Sequence, residues 1–180
     1  MTGVTASELL AVVAARELRD DTTVFAGVGV PLLAAALAKQ RHAPRLTLVI
    51  EGGIIGPYER PQVRLPGSGG AAEIAIHAQR ILIVSKLSPR AFPERVDFVT
   101  SPGQRVQRVI TDKGVLEPDG AGGELVLTGL YPGVAAADVN AGVGWPLRSR
   151  PNLARLDPPT REELQLLREV LDPKRLYLKS

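Results

Sequence analysis

The sequence has no cysteine, only two histidines, and aromatic residues at just 4% of its 180 positions. Without cysteine the chain can form neither a disulfide nor a thiolate metal site, and it has no cysteine nucleophile. His42 and His77 alone are too few for a histidine-rich zinc site. We therefore predict that the protein has no metal centre.

A strong charge of either sign is also lacking. The chain has 22 Lys and Arg against 19 Asp and Glu, a net charge of +3, and the two signs are mixed along its length. The pI near 9.5 is therefore weak support for nucleic-acid binding, and we predict no nucleic-acid partner. The apolar fraction of 44% and charged fraction of 23% exclude a disordered, collagen-like or coiled-coil chain. The length suits a single domain over residues 1–180.

Long hydrophobic runs are missing as well. The longest stretch without a charge, residues 22–38, is 17 residues long, shorter than the roughly 20 needed to span a bilayer. The N-terminal residues 1–10 lack the basic and apolar regions of a signal peptide. We expect a cytoplasmic protein that does not engage a membrane.

Apolar strands alternate with helical segments along the first half of the chain. Residues 46–50 form a continuous apolar run that is typical of a strand covered on both faces. This alternation predicts an α/β fold: a mostly parallel open sheet with helices on both faces. Residues 148–159 are predicted to be an extended connector. Helices are predicted over 6–18, 32–39, 71–78, 135–140 and 161–171, and strands over 24–26, 46–50, 81–84, 96–100, 106–111 and 125–130.

Glu51 is the first residue after the apolar run, and Gly52 and Gly53 follow it. In a doubly wound sheet, ligands bind beyond the carboxyl ends of the strands. Glu51 would stand there, and two glycines would leave its carboxylate unshielded and let backbone amides approach a ligand. The alternative is a solvated loop glutamate beside a turn.

A second glycine-rich segment, residues 65–71, lies ahead of the third predicted helix. Gly67, Gly69 and Gly70 give this segment the composition of a loop whose amides bind a phosphate or stabilise an oxyanion. It is not a P-loop, because no Lys-Ser or Lys-Thr pair follows. A flexible surface loop has the same composition.

Other polar residues give weaker indications. Gly27 and Gly29 resemble the start of a dinucleotide fingerprint, but Leu32 occupies the third glycine position, which disfavours a nicotinamide site. Residues near strand ends are candidates to face the crevice, although such residues more often form ordinary ion pairs; they are Lys86, Asp97 and Asp112. His77 is interpreted as structural, and Tyr131 and Trp145 as packing residues.

Several motifs in a fixed order resemble the β subunit of family I coenzyme A transferases, nearest to the glutaconate CoA-transferase branch. The resemblance runs over nearly the whole chain. It includes residues 21–34, 51–53, 65–71, 97–103, 109–112, 131–134 and 171–173.

This resemblance implies a covalent mechanism in which Glu51 attacks an acyl-CoA thioester and becomes a glutamyl-CoA thioester. It further implies an oxyanion- and CoA-binding role for Gly52, Gly53, Gly67, Ser68, Gly69, Gly70 and Ala71. Coenzyme A would enter as the acyl-CoA substrate, with no permanently bound cofactor. An α subunit would complete the site in a hetero-oligomer, either αβ or α2β2.

Two departures from the family pattern leave more than one function open. Residues 103–108 form a shortened segment, and Gly52 replaces the commoner Asn or Ser after the glutamate. A related branch uses the same scaffold for ring-opening hydrolysis of acyl-CoA, with its glutamate on the partner subunit. A non-catalytic binding subunit and a sugar-phosphate-binding relative are two further interpretations of the sequence.

Overall fold

A computed structural model describes residues 3–50, 70–99, 101–120 and 123–178, without the side chains of residues 50, 70 and 71. The chain folds as two compact units. One contains Met1–Pro66 and Pro159–Ser180, and the other contains Gly67–Pro158. This division is not a test of the prediction of one domain over 1–180, which stays a prediction.

Helices and strands follow one another in the order expected of an α/β protein. The described elements are α1 (Ala6–Arg16), β1 (Thr23–Ala26), α2 (Val30–Arg41), β2 (Thr47–Ile50), α3 (Gly70–His77), β3 (Ile81–Val84), β4 (Val106–Ile110), β5 (Gly114–Pro118), β6 (Leu125–Leu130), α4 (Ala136–Asn140), β7 (Ser149–Arg155) and α5 (Arg161–Gln165), which continues as a π-helix over Leu166–Leu171.

In the first unit, α1 begins with a capping box. The Glu8 N–H donates to Thr5 Oγ1 at 3.2 Å, and the Thr5 N–H donates to Glu8 Oε2 at 2.9 Å. These bonds satisfy two amides that a helix start would leave unpaired. Residues of the helix interior are buried, including Leu9 at 3% exposure and Val12 at 0%. The predicted helix over 6–18 is therefore confirmed, with its end at Arg16.

The strands of this unit, β1 and β2, pair in parallel, with Ala26 opposite Ile50 at their carboxyl ends. After β1 the chain turns through Gly29. Its φ of +114° suits glycine, because a residue with a side chain would be strained in this backbone conformation. Helix α2 begins immediately afterwards, with Pro31 in its first turn, where the fixed φ of proline suits a helix start.

The second unit contains a five-stranded sheet in the order β3-β4-β5-β6-β7. Strand β3 is parallel to β4 and β6 is parallel to β7, while the two central pairings are antiparallel. Together with the β1–β2 pair, three of the five pairings between described strands are parallel. The prediction of a mostly parallel α/β fold is confirmed.

One face of this sheet forms the hydrophobic core of the second unit. Tyr131 is 2% exposed, and Trp145 packs against the core, so both are packing residues as predicted. The core residues are Leu87, Phe92, Val109, Leu116, Leu127, Val139 and Val143.

The predicted strand over 96–100 is wrong in its described part. Residues 96–99 belong to no strand, and Val96, Phe98 and Val99 are 60%, 79% and 70% exposed. Their β propensity has no effect here, because propensity mainly reflects packing on a half-buried pleated surface.

Two strands are absent from the sequence prediction. Gly114, which lies between the predicted strands 106–111 and 125–130, begins β5. Ser149–Arg155, interpreted as a connector, is β7. Pro151 fits within β7 because this strand is last in the order of the five, and proline is tolerated at a sheet edge.

Candidate functional site

Most of the predicted site residues lie outside the described residues. They are Glu51, Gly52, Gly53, Gly67, Ser68 and Gly69. Gly70 and Ala71 are described only as backbone in α3. The roles of all eight stay predictions, and the described residues show the elements that carry the chain to and from them.

The first such element is the parallel pair β1–β2. Ile50, the last residue of β2, lies opposite Ala26, the last residue of β1, so both strands end at one edge. Neighbouring strands are about 4.8 Å apart. Glu51, the predicted nucleophile, follows Ile50 in the sequence and is therefore the first residue after the described strand. This edge is the carboxyl end of parallel strands, the usual ligand-binding edge of α/β sheets.

The turn of Gly27, Val28 and Gly29 reaches the same edge because it follows Ala26 directly. A Cβ added to Gly27 or Gly29 would meet nothing within 4 Å, and Val28 is 60% exposed. Helix α2 starts here without a side-chain cap. The N-terminus of α2 therefore lies at this edge, and the dipole of a helix N-terminus favours negative charge.

The sequence prediction treats Gly27 and Gly29 only as an incomplete dinucleotide fingerprint and does not include this turn in the site. The signal that would have added the turn to the predicted site is the parallel register of β1 and β2. In that register both strands end at one edge of the sheet.

In the second unit, α3 begins at Gly70. The glycine-rich segment therefore leads directly into a helix, as the sequence predicts. The helix N-terminus would add its dipole to whatever amides that segment presents to an anion.

The second parallel pair, β3–β4, ends with Val84 opposite Ile110. At this edge Asp112 has a structural contact, because its Oδ1 accepts the Leu87 N–H at 2.7 Å. Lys86, two residues after the end of β3, is exposed.

Two further residues from the sequence analysis lie on the surface. Asp97 is exposed within residues 93–99. His77 is exposed near the end of α3, with its Nε2 3.7 Å from Glu73 Oε2. Neither contributes to a packed site within the described residues.

Metal-binding clusters and membrane-spanning helices are both absent from the part of the chain that the structure describes. No group of three or more His, Asp and Glu side chains in 3–50, 70–99, 101–120 and 123–178 could hold a metal ion. Across the same residues, no helix is long and apolar enough to cross a membrane.

Comparison with known proteins identifies a family. The model of the coenzyme A transferase family matches residues 49–142, slightly more than half of the chain. The matched range includes Glu51 and the glycine-rich segment 65–71.

Among similar proteins, the B subunit of 3-oxoadipate CoA-transferase from Pseudomonas knackmussii is 28% identical over 94% of this chain and 94% of its own length. The B subunit of glutaconate CoA-transferase from Acidaminococcus fermentans is 24% identical over 98% of this chain and 96% of its own. The cholesterol ring-cleaving hydrolase IpdB subunit from Rhodococcus jostii is 29% identical, over only 67% of this chain and 53% of its own.

The same fold occurs in the crystal structure of the glutaconate CoA-transferase from Acidaminococcus fermentans, with a TM-score of 0.83, 23% identity, and coverage of 99% of both chains. The alignment with the 3-oxoadipate enzyme runs over 245 positions, more than the 180 residues of this sequence, so that relative has segments with no counterpart in it. From the match of the family model to more than half of its residues, the chain belongs to the coenzyme A transferase family.

Proposed function

We propose that this chain is the β subunit of a CoA-transferase, which moves CoA between an acyl-CoA and a carboxylic acid through a glutamyl-CoA thioester on Glu51. One observation carries the proposal: the family match begins at residue 49 and so includes Glu51, which directly follows the last residue of a parallel strand. A carboxylate that follows this strand would lie at the edge where α/β proteins bind their ligands.

In the proposed reaction, a carboxylate oxygen of Glu51 attacks the thioester carbonyl, and the C–S bond breaks to release CoA thiolate. The product on Glu51 is a mixed anhydride. The thiolate then attacks the glutamyl carbonyl, which releases the first carboxylic acid and leaves CoA on Glu51 as a thioester. A second carboxylate reverses these steps and leaves as the new acyl-CoA, so no oxidant or reductant is needed.

A carboxylate is a weak nucleophile, so the rate depends on positioning and on stabilising the tetrahedral oxyanion. We assign the stabilisation to amides of Gly52, Gly53, Gly67, Ser68, Gly69, Gly70 and Ala71. The anhydride must also be shielded from water. An α subunit that closes the site, in an αβ or α2β2 assembly, would provide this shielding.

The proposal includes a cytoplasmic location, CoA as a substrate and no permanently bound cofactor. The names of two relatives support an α-subunit partner, because each of these relatives is the B subunit of its enzyme. The ring-opening hydrolase is the second candidate, because the IpdB subunit matches two thirds of this chain.

The test uses the chain co-purified with a CoA-transferase α subunit and a panel of acyl-CoA and acid pairs. Glu51→Gln should reduce exchange by about a thousandfold or more, because it removes the nucleophile. Glu162→Gln is the matched control, since that side chain is 73% exposed in an ion pair with Arg41. Mass spectrometry of the wild-type complex with acyl-CoA alone should find CoA on the peptide containing Glu51.

The reaction products distinguish the transferase, the hydrolase and the non-catalytic subunit. Free CoA released without an acceptor acid would support the hydrolase and contradict transfer. Acyl-CoA binding without turnover would support a non-catalytic role. Full exchange in Glu51→Gln, or an adduct on another residue, would reject Glu51 as the nucleophile.

A further inference from the structure

The five-stranded sheet has a second face, opposite the hydrophobic core. Side chains alternate between the faces of a strand, so the neighbours of the core residues Val109 and Leu116 point the other way. Those neighbours are Arg108 and Glu117. Because Val109 lies opposite Leu116 in the antiparallel pair β4–β5, the two charged side chains are cross-strand partners on this second face.

Glu117 binds Arg108 through only one of its two oxygens. Oε1 accepts from Arg108 Nε at 2.9 Å and from Arg108 Nη2 at 2.5 Å. Oε2 faces Arg150, on β7, with Arg150 Nη2 at 3.3 Å. The Glu117 side chain is 17% exposed, whereas Arg150 is 52% exposed. Two guanidinium groups therefore share one carboxylate, and the more exposed of the two, that of Arg150, contacts it at the longer distance.

Arg150 retains hydrogen-bonding capacity. A guanidinium carries five N–H donors, and within the described residues its ion pair with Glu117 is the one charged contact of this side chain. Arg148, two residues earlier, differs because it pairs with both Asp119 and Glu124, at 2.9 and 3.2 Å.

Arg150 lines a groove of about 320 Å³ that has a charged end and an apolar end. The charged end contains Arg108, Glu117 and Arg150, with Asn152 beside them. The apolar end consists of Val115, Gly129, Ala154 and Leu156. Thr128, between the ends, donates its hydroxyl hydrogen to the Val115 carbonyl at 3.2 Å. The volume is at the small end of the range for ligand pockets.

We infer that this groove on the second face of β4–β7, the Arg150 groove, binds a small carboxylate with a short aliphatic chain. The carboxylate accepts hydrogen bonds from the guanidinium of Arg150, and the aliphatic chain lies along Val115, Ala154 and Leu156. Charge-assisted bonds from arginine to carboxylate are among the strongest that a partly exposed site can make. Glu117 competes with the ligand for Arg150, because its carboxylate pairs with the same guanidinium when no ligand is bound.

Hexanoate is the probe, titrated into the full ¹⁵N-labelled chain at constant ionic strength while amide chemical shifts are recorded. Wild-type protein should saturate, with shifts concentrated in β6 and β7. Arg150→Gln should weaken binding by about tenfold or more, because the charge-assisted bonds are lost. The control Arg148→Gln should stay within about twofold, because that guanidinium is already engaged by two carboxylates.

Glu117→Gln is the decisive second variant. It removes the competing carboxylate, so hexanoate should bind several times more tightly, whereas disruption of the groove would weaken binding. Hexanol and hexylamine should produce no saturable shifts. Binding of hexanol as tight as that of hexanoate, no saturation by hexanoate, or an unchanged dissociation constant in Arg150→Gln would overturn the inference. These measurements record binding alone, so they stand apart from the test of CoA exchange.

Discussion

Arg168 and Glu8 form an ion pair across 160 residues of sequence. Arg168 Nε donates to Glu8 Oε1 at 2.7 Å and Arg168 Nη2 donates to Glu8 Oε2 at 2.9 Å, while the Glu8 side chain is only 1% exposed. Both residues belong to the unit of Met1–Pro66 and Pro159–Ser180. The pair connects the C-terminal π-helix to α1, so it links distant parts of the chain within one compact unit.

Glu8→Gln should lower the free energy of unfolding by about 2 kcal/mol, because the partly exposed guanidinium loses its buried charged partner. Urea denaturation followed by circular dichroism measures the change. The control is Glu162→Gln, whose carboxylate faces Arg41 from an exposed position. Its effect should stay within about 0.5 kcal/mol. Equal effects of the two substitutions would show that burial of Glu8 does not matter.

Acid should destabilise the same unit. The hydrogen bond from Arg168 lowers the pKa of Glu8. Burial acts to raise the pKa of Glu163, but the hydrogen bond from Arg16 and the cap at Thr160 outweigh it and lower that pKa overall. In the unfolded chain both carboxyls titrate at about pH 4.

Because these carboxyls have lower pKa values in the folded state, the unfolded chain binds more protons as the pH falls. Their contribution to stability is therefore complete above about pH 5 and is lost as the pH falls through 4 towards the lowered values. Unfolding free energies at several pH values between 7 and 3 test this. Glu8→Gln should show a shallower loss over that range, and an unchanged slope would contradict the assignment.

Asp172 organises the last described residues. Its Oδ1 accepts the Leu176 N–H at 2.7 Å, and its Oδ2 accepts the Tyr177 and Leu178 N–H groups, each at 2.9 Å. Burial alone would raise the pKa of Asp172, but these three bonds lower it overall. The same three bonds hold residues 176–178 around the Asp172 carboxylate, and Leu178 is buried there, at 1% exposure.

Asp172→Asn should free residues 176–178 from the side chain of residue 172. One carboxylate oxygen, which accepts backbone N–H groups, would be replaced by an amide NH₂ group, which can only donate. We expect a loss of about 2 kcal/mol in stability. Hydrogen exchange of the amides of residues 176–178 should accelerate by about tenfold or more. Asp97→Asn, at an exposed position, is the control and should change neither quantity. Unchanged protection in Asp172→Asn would reject the role.

Local interactions made parts of the fold predictable. Capping boxes form at Thr5–Glu8 and Thr160–Glu163, each between residues three positions apart, and they fix the starts of the helices predicted over 6–18 and 161–171. The strand Ile81–Val84 has the bounds that the sequence predicts, because its apolar run is short and flanked by polar residues.

Non-local pairing explains what the sequence does not predict. β7 contains Pro151 and is mostly exposed, so neither its composition nor its periodicity indicates a strand; only pairing with β6 makes it one. The contact of Arg150 with Glu117 also needs β7 in the sheet, whereas the contact of Arg108 with Glu117 depends on the antiparallel pairing of β4 and β5. At the candidate site, the sequence indicates Glu51, whereas the edge shared with the Gly27–Gly29 turn depends on the register of β1 and β2.

The hairpin of β5 and β6 has a close backbone contact that tests its register. A Cβ added to Gly114 would lie 2.6 Å from the carbonyl oxygen of Gly129 and 3.2 Å from Leu127 Cδ1. A backbone oxygen cannot move away without breaking ladder hydrogen bonds, so Gly114→Ala should lower the free energy of unfolding by about 2 kcal/mol. Gly103→Ala is the matched control, because a Cβ there would meet nothing within 4 Å. Thermal and urea denaturation of both variants measure the difference, and a Gly114→Ala variant as stable as Gly103→Ala would mean that β5 and β6 pair in another register.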